Sequence, residues 1–231
     1  MFHETVLITG ASGFIGQSLV DDLLAHDFQV LAFSRKKDRI AHHPHLRWIQ
    51  SLEEIQQVKL DYVINLAGES IGQGRWSQQR KQQLVASRVH TTRMLYQYLQ
   101  KNHLKPKCII SGSAVGYYGI DPAEQWQHRC DEQSAPQAIF MSELCQQWEQ
   151  EALSYSDQNT KIMRLGVVFG AQGGILPQML LPMKLNLAGR IGHGRQPMTW
   201  VHIDDVISVI KHLMGHQSSQ QIYNVVAPDH L

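Results

Sequence analysis

Charge is scarce in this sequence: Asp, Glu, Lys and Arg make up 18% of its 231 residues, against the quarter usual in soluble proteins. What charge there is nearly balances, leaving a formal +1 at neutral pH. So neutral a chain has no long-range field to draw it onto nucleic acid or an anionic membrane surface, and neither partner is expected. Glutamine supplies the missing polarity in the groups Gln78, Gln79, Gln82, Gln83 and Gln146, Gln147, Gln150, which read as neutral solvated helix faces. Cysteine is equally thin. Cys108, Cys130 and Cys145 are too few and too scattered for a disulfide framework or a zinc site. His42, His43 and His45 have no carboxylate or cysteine at a matching spacing, so no metal centre is expected. No apolar run reaches the length that spans a bilayer. The first strand-like run starts close to Met1 and leaves no room for a secretory leader, so a cytoplasmic protein is expected. Repeats of solenoid period and low-complexity linkers are missing as well.

What the chain does have is 43% hydrophobic content. At this length that suffices for a full core, and one α/β domain with an appendage is the natural organisation. The first run, Thr5-Val6-Leu7-Ile8-Thr9, is short, apolar and rich in β-branched residues, and it breaks at Gly10. The pattern then turns helical, with Ile15, Leu19 and Leu23 on one side together with Val20 and Leu24. Strand, tight turn and helix follow in that order, with Gly10, Gly13 and Gly16 at the hinge. Glycine at the first position permits the tight turn. At the second it lets backbone N–H groups approach a pyrophosphate, which the helix N-terminus also favours; at the third it lets the helix lie close on the strand. The spacing is G-x-x-G-x-x-G and not the commoner G-x-G-x-x-G. Its position between a strand and a helix is what makes it a dinucleotide signal.

The alternation continues down the chain. Strands are predicted over 29–33 and 46–49, within 61–68 and 107–113, and over 161–168; helices are predicted over 52–58, 77–101 and 139–153. After Gly170 the pattern changes. Gly173, Gly174 and Pro177 precede an apolar segment over 176–187, then come a glycine-rich stretch, a strand over 198–203, a helix over 204–214 and a strand over 222–226. Strands alternating with helices imply right-handed βαβ units and a doubly wound parallel sheet. Asp204 is the expected N-cap of its helix, and His202 beside it reads either as a site residue or as a packed strand histidine.

In open parallel sheets ligands collect beyond the carboxyl ends of the strands. The second strand ends in Ser34-Arg35-Lys36-Lys37. An acid here would hold the ribose 2′-hydroxyl of NAD; a 2′-phosphate wants cations, and Arg35 offers a bidentate fork. NADP is therefore expected over NAD. The fourth strand ends in Asn65-Leu66-Ala67-Gly68-Glu69, small residues that suit either a plain turn or the adenine side of a cofactor lying against the backbone. On the long helix Val85, Arg88, Thr92, Leu95 and Leu99 fall at helical spacing, which puts Arg88 in the middle of an apolar stripe. A guanidinium there either snorkels to the rim or meets an anionic or carbonyl partner. After the fifth strand, Ser111-Gly112-Ser113-Ala114-Val115-Gly116-Tyr117-Tyr118-Gly119 sets two hydroxyls and two phenols in a glycine-rich turn. They can bind a substrate carbonyl or hydroxyl, or serve as turn formers and packed aromatics. On the following helix Met141, Cys145, Trp148 and Ala152 share one face and read as core.

Together these segments resemble the short-chain dehydrogenase/reductase superfamily, close to its extended, NAD-dependent epimerase/dehydratase-like members. More closely, they are similar to an atypical subgroup of uncharacterised substrate, sometimes called cell-division-inhibitor-like. The segments that carry the resemblance are TGASGFIG, FSRK, NLAGE, RWSQQRKQQLVASRVHTTR, SGSAVGYYG, MSELCQQWE, MRLGVVFG, GGILPQMLLP and GRQPMTWVHIDD, which span nearly the whole chain.

The resemblance implies a Rossmann-type α/β domain over 1–170 that binds NADP(H). It also implies a small, partial C-terminal substrate lobe over 171–231, interleaved with a returning helix and strand. The cofactor would meet Gly10, Ser12, Gly13, Phe14, Ile15 and Gly16 at its pyrophosphate and Ser34 and Arg35 at its 2′-phosphate. Leu66, Ala67 and Gly68 would flank its adenosine and ribose, with Gln83 and Arg88 nearby. Superfamily enzymes pair a serine with Tyr-x-x-x-Lys, the tyrosine as acid and base and the lysine lowering its pKa and holding the ribose. Here Met141 and Cys145 stand at those two positions, Ser113 or Ser111 at the serine, and Arg88 at a common asparagine. A thioether has no proton to give and a thiol supplies no fixed positive charge. The implied activity is oxidoreductase chemistry on a small carbonyl or hydroxyl substrate, with Ser113 polarising the carbonyl and Tyr117 or Tyr118 donating the proton. The alternative is a non-catalytic NADP(H) sensor. A monomer or a homodimer is compatible with either.

Overall fold

The apolar runs become strands and the 3.6-period runs pack against them. In chain order the elements are β1 (Thr5–Thr9), α1 (Phe14–Ala25), β2 (Gln29–Phe33), β3 (Leu46–Ile49), β4 (Tyr62–Asn65), α2 (Gln78–Lys101), β5 (Cys108–Ala114), α3 (Phe140–Leu153), β6 (Thr160–Leu165), β7 (Val167–Gly170), β8 (Gly173–Gly174), α4 (Leu176–Lys184), β9 (Trp200–His202), α5 (Ile203–Gly215) and β10 (Ile222–Val225). This computed structural model describes residues 3–34, 43–55, 58–72, 74–125, 129–185, 189, 194 and 196–229.

Seven strands form one sheet in the order β10-β6-β5-β4-β1-β2-β3, and every neighbouring pair is parallel. The 3-2-1-4-5-6 portion is the order of dinucleotide-binding folds, with β10 added on β6. A parallel sheet is covered on both faces, which is why β1 is buried from end to end. On one face Val6, Ile8 and Ile110 pack with Leu19 and Leu23 of α1 and Val206 and Ile210 of α5. On the other, Leu7, Val63 and Ile109 pack with Leu95 and Leu99 of α2 and Ala152 of α3. The expected doubly wound, Rossmann-type sheet is the one observed. Among the described residues no helix is long and apolar enough to cross a membrane, and no group of three His, Cys, Asp or Glu side chains lies close enough to hold a metal ion.

Three local expectations are corrected. The single strand over 161–168 is two, β6 and β7, either side of Gly166. There the chain leaves the large sheet and the Val167 N–H donates to the Thr199 carbonyl at 2.8 Å. A Cβ on Gly166 would lie 2.9 Å from that carbonyl oxygen, so only glycine fits the crossing. β7 then joins a second sheet of order β8-β7-β9. The boundary drawn at 170 therefore falls after a strand of the smaller sheet, while α5 and β10 return to the larger one. Of the helix expected over 52–58, residues 56 and 57 lie outside the described residues; the start is a 3-10 turn, Leu52–Glu54, closed by a Ser51–Glu54 capping box and ended where Ile55 turns to φ −81°, ψ 71°. The N-cap of α5 is His202 and not Asp204, because the imidazole Nδ1 accepts the Asp204 N–H at 3.3 Å and Asp204 sits in the first turn.

Candidate functional site

The three glycines of the first turn separate into three physical roles. Gly10 has φ +70°, and a Cβ there would lie 2.5 Å from the Leu66 carbonyl oxygen at the end of β4, so it is needed both for its conformation and for its closeness. A Cβ on Gly16 would meet the Gly10 oxygen at 2.3 Å, which lets α1 lie against the turn. Gly13 is exposed and is the N-cap of α1; its added Cβ would meet only the Gly10 oxygen, at 3.2 Å. The N-cap Gly13 offers no side-chain cap to α1, and no acid stands in its first turn. The helix therefore presents its orphan N–H groups and the positive end of its dipole outward beside an open glycine, a cradle suited to a diphosphate. Ser12 and Ile15 are half-buried in this turn. The Phe14 ring points away from it into a cleft of three more glycines, where Cβ atoms on Gly170, Gly173 and Gly174 would come within 2.7, 2.6 and 3.0 Å of the ring. That contact ties the turn to the second sheet. The triad was visible in the sequence as a change of pattern, but not as a seat for Phe14.

The β4 exit is held against this turn by buried hydroxyls and one amide. Thr9 Oγ1 donates to Asn65 Oδ1 at 2.7 Å and accepts the Ala67 N–H at 3.3 Å, while the Leu66 N–H bonds the Thr9 carbonyl at 3.2 Å. Asn65 Nδ2 donates to Thr92 Oγ1 on α2 at 2.8 Å and to Ser111 Oγ on β5 at 3.1 Å. Trp148 Nε1 on α3 also donates to Thr92 Oγ1, at 3.1 Å. One asparagine thus registers β1, β4, β5 and α2, and sequence reading gave Asn65 and Thr9 no such part. Ser34 is buried at the end of β2, its N–H on the Ile49 carbonyl at 3.0 Å. Arg35 lies outside the described residues.

Arg88, on α2, is 8% exposed and packs against the loop that follows β4. Its guanidinium donates to the Leu84 carbonyl at 3.2 Å, the Ser87 hydroxyl at 3.4 Å and the Glu69 carbonyl at 3.0 Å, and it faces the Trp148 ring at 5.3 Å. The carboxylate of Glu69 is taken by Arg80 instead. Gly68 makes room: a Cβ there would lie 3.0 Å from Arg88 Cζ and 3.2 Å from Nε. Burial pulls the Arg88 pKa below the usual guanidinium value. Gln83 stands apart, exposed, with its Oε1 accepting from Arg80 at 3.4 Å.

At the β5 exit the expected catalytic hydroxyls meet two residues that sequence reading missed. Ser113 is buried and donates to Glu149 Oε1 at 2.5 Å. The same carboxylate takes a bidentate fork from Arg164, Nε to Oε1 at 2.9 Å and Nη2 to Oε2 at 2.8 Å. Arg164 also donates to the Tyr118 hydroxyl at 2.9 Å and the Glu132 carbonyl at 3.2 Å, and the Tyr118 hydroxyl donates onward to Asn224 Oδ1 at 2.7 Å. Although burial works against its charge, bonding to Glu149 and Tyr118 holds the Arg164 guanidinium above its ordinary pKa. Burial raises the Tyr118 phenol, opposed by its bonds to Arg164 and Asn224. The Tyr117 ring lies over the Arg164 guanidinium at 3.5 Å, and among the described residues no hydrogen bond engages its hydroxyl. Met141 packs on Gly116, and the Cys145 thiol is pushed up by burial and by the Glu149 charge. The signal that could have exposed the pair is spacing. Glu149 follows Met141 and Cys145 at successive four-residue steps on the buried face of α3, and Arg164 sits inside the apolar run of β6.

The site residues therefore gather in two groups. Gly10 of the turn abuts Leu66 and Ala67, and Gly68 abuts Arg88; Ser113, Tyr117 and Tyr118 lie about the Glu149–Arg164 pair; Trp148 stands between them, against Arg88 and against Gly112.

Comparison with known proteins agrees with this architecture. A model of the NAD-dependent epimerase/dehydratase family matches residues 6–226. Epimerase family protein SSP1921 of Staphylococcus saprophyticus is 34% identical over 227 residues, covering 96% of this chain and 74% of the relative. Among solved structures, human epimerase family protein SDR39U1, determined with NADPH, superposes with a TM-score of 0.82 at 32% identity over 97% of this chain and 75% of the human one. A nucleoside-diphosphate sugar epimerase from Corynebacterium glutamicum gives a TM-score of 0.78 at 26% identity, covering 100% of this chain and 48% of that one. With the sheet order, the uncapped glycine turn and a family match over nearly its whole length, this chain belongs to the NAD-dependent epimerase/dehydratase family.

Proposed function

We propose that the chain is an NADP(H)-binding, epimerase/dehydratase-like oxidoreductase acting on a small carbonyl or hydroxyl substrate. The observation that carries the reading is the turn at 10–16: an exposed Gly13 at an uncapped helix N-terminus, abutting the β4 exit. The fit is physical, since the cradle a Cβ would narrow is left open where a diphosphate approaches. Preference for the 2′-phosphate rests on Ser34-Arg35, which has no acid beside it, and on the NADPH found with the human relative. The dinucleotide, when bound, supplies the hydride acceptor or donor. The chain's own part is to hold it and to handle a proton. Ser113 and Tyr118 have their hydroxyl protons committed to Glu149 and Asn224. Tyr117, whose phenol has no hydrogen-bond partner among the described residues, is the group best placed to give a proton to a substrate oxygen.

Arg35→Glu is expected to weaken NADPH binding at least tenfold while leaving NADH binding within about twofold, as removal of a charge-assisted phosphate contact should. Equal losses for both would remove the 2′-phosphate assignment. One observation favours a second reading, a sensor that binds NADP(H) without turnover: the α3 face toward Ser113 carries Met141 and a buried Cys145 whose thiol is pushed up. A screen of carbonyl compounds and sugar nucleotides separates the two. Turnover lost in Tyr117→Phe supports the enzyme; tight NADPH binding with no consumption across the screen supports the sensor.

A further inference from the structure

Phe14 belongs to two places at once. It is the first residue of α1, so its N–H is one of the orphan donors at the open turn. Its ring leaves that turn and is held at its tip and along both edges by the smaller sheet. Cβ atoms on Gly170, Gly173 and Gly174 would fall 2.7 Å from Cζ, 2.6 Å from Cδ2 and 3.0 Å from Cε1. The seat is closed from a further side as well, since the Cβ on Gly170 would also lie 2.9 Å from Ile203 Cγ2 at the start of α5. Close-packed groups of this kind transmit a displacement instead of absorbing it. A shift in the first turn of α1 therefore moves the β7–β8 hairpin or breaks the contact.

The hairpin carries a helix. β8 ends at Gly174, and Ile175 leads directly into α4. Ile175, Leu180, Met183 and Leu185 are exposed, four of the seven large apolar side chains that stand exposed among the described residues. Apolar side chains gathered in this way mark a face that meets a ligand or partner, so where α4 is held matters to what the chain binds. We infer that Phe14 is a positioning residue that couples the dinucleotide turn to β8 and α4, a role resting on the NADP(H) reading above. A diphosphate satisfies the orphan N–H groups only when bound, and that difference is what can fix the first turn of α1. The ring then passes the ordering to the hairpin, with its backbone at the ligand and its side chain in the other sheet.

The test is hydrogen exchange on the whole chain, read by mass spectrometry with and without saturating NADPH, in wild type and Phe14→Ala. In wild type NADPH is expected to slow exchange about threefold or more both at 13–18 and over 173–184, as ordering of a locally opening segment does. In Phe14→Ala the protection at 13–18 is expected to remain, while exchange over 173–184 comes within about 1.5-fold of the ligand-free chain. A ring that only packs would change exchange alike with and without NADPH and leave the ratio over 173–184 intact, which overturns the inference. Wild type protected at 13–18 but not over 173–184 overturns it too, as does a variant that loses both protections. Wild type in which NADPH protects neither segment would instead overturn the NADP(H) reading, and this inference with it. If Phe14→Ala fails to fold, Gly173→Ala sets a methyl 2.6 Å from the ring Cδ2 and displaces the ring while leaving Phe14 in the chain. The same split between the two segments is expected, and its absence is equally decisive.

Discussion

Replacing Glu149 by leucine tests whether the polar cluster at the β5 exit is a strut of the fold. The carboxylate is 5% exposed and Arg164 is 1% exposed, and the two are joined by a bidentate fork with the Ser113 hydroxyl as a third donor. Leucine keeps the volume and removes the charge, leaving the Arg164 guanidinium buried with only Tyr118 and the Glu132 carbonyl as acceptors. Breaking one side of a buried pair costs about 3–5 kcal/mol. For a chain of this size each kcal/mol lowers the melting temperature by about 2–4 °C, so a drop of about 6–20 °C is expected. Calorimetry and urea unfolding followed by tryptophan fluorescence read the two numbers independently. The decisive comparison is the double variant Glu149→Leu with Arg164→Met. Removing both charges abolishes the uncompensated cation and forfeits two further bonds, each worth about 1 kcal/mol. The double variant should therefore be more stable than Glu149→Leu alone, a coupling that a double-mutant cycle isolates. A loss below about 1 kcal/mol in the single variant, or strict additivity in the cycle, would refute the reasoning.

The glycine turn predicts a dissociation of stability from binding. Gly13→Ala should unfold close to wild type, since its methyl meets one turn oxygen at 3.2 Å, yet lose NADPH affinity in a fluorescence titration; Gly16→Ala, whose methyl would sit 2.3 Å from the Gly10 oxygen, should lose several °C of melting temperature. Equal melting temperatures for the two would contradict the division of roles. Acid stability should depend on Asp61. Burial raises its pKa, but Lys59, the Thr5 N–H and Lys107 outweigh that and hold it below the ordinary carboxylate value. A folded pKa below the unfolded one contributes stability that is present above about pH 4 and is lost as pH falls through the folded value. Urea unfolding from pH 6 to pH 3 should therefore show a shallower acid limb in Asp61→Asn than in wild type, and identical slopes would exclude Asp61 as a source.

What could be read from the chain without its fold was whatever a constraint imposes over a few neighbouring residues. The turn at 10–16 was legible because φ, close approach and helix packing each act within one turn and each demands glycine. Arg88 was legible because it interrupts an apolar stripe of its own helix. The seven strands of the large sheet were legible as short apolar runs set off by turn residues, and the run over 161–168 continued well past the end of β6 at Leu165. The misreadings lie where a partner arrives from far away in sequence. Gly166 ends β6 because Thr199 comes to meet it, and nothing near Gly166 announces that. His202 takes the cap from Asp204 because its imidazole turns back on the helix, a choice between two polar residues either side of Ile203 that propensity alone ranks the other way. Glu149 and Arg164 each fall on a buried face, but that spacing does not name a partner, and nothing in either element shows that the other neutralises it.

That neutralisation bears on chemistry as well as stability. The family resemblance places an acid–base phenol and a fixed cation on α3, and this chain has a thioether and a buried thiol there. It has two buried guanidinium groups nearby, brought by α2 and β6. Arg164 is electrically closed, because Glu149 meets it bidentately, and its remaining donors hold Tyr118 and the Glu132 carbonyl. It can orient the Tyr117 ring that lies on it, but it has no charge to spare for a ligand. Arg88 is electrically open, with neutral acceptors on one side and a glycine surface on the other. The two buried arginines therefore differ in their surroundings: Arg164 meets a carboxylate and builds the floor under the tyrosines, whereas Arg88 is held by backbone carbonyls of Leu84 and Glu69.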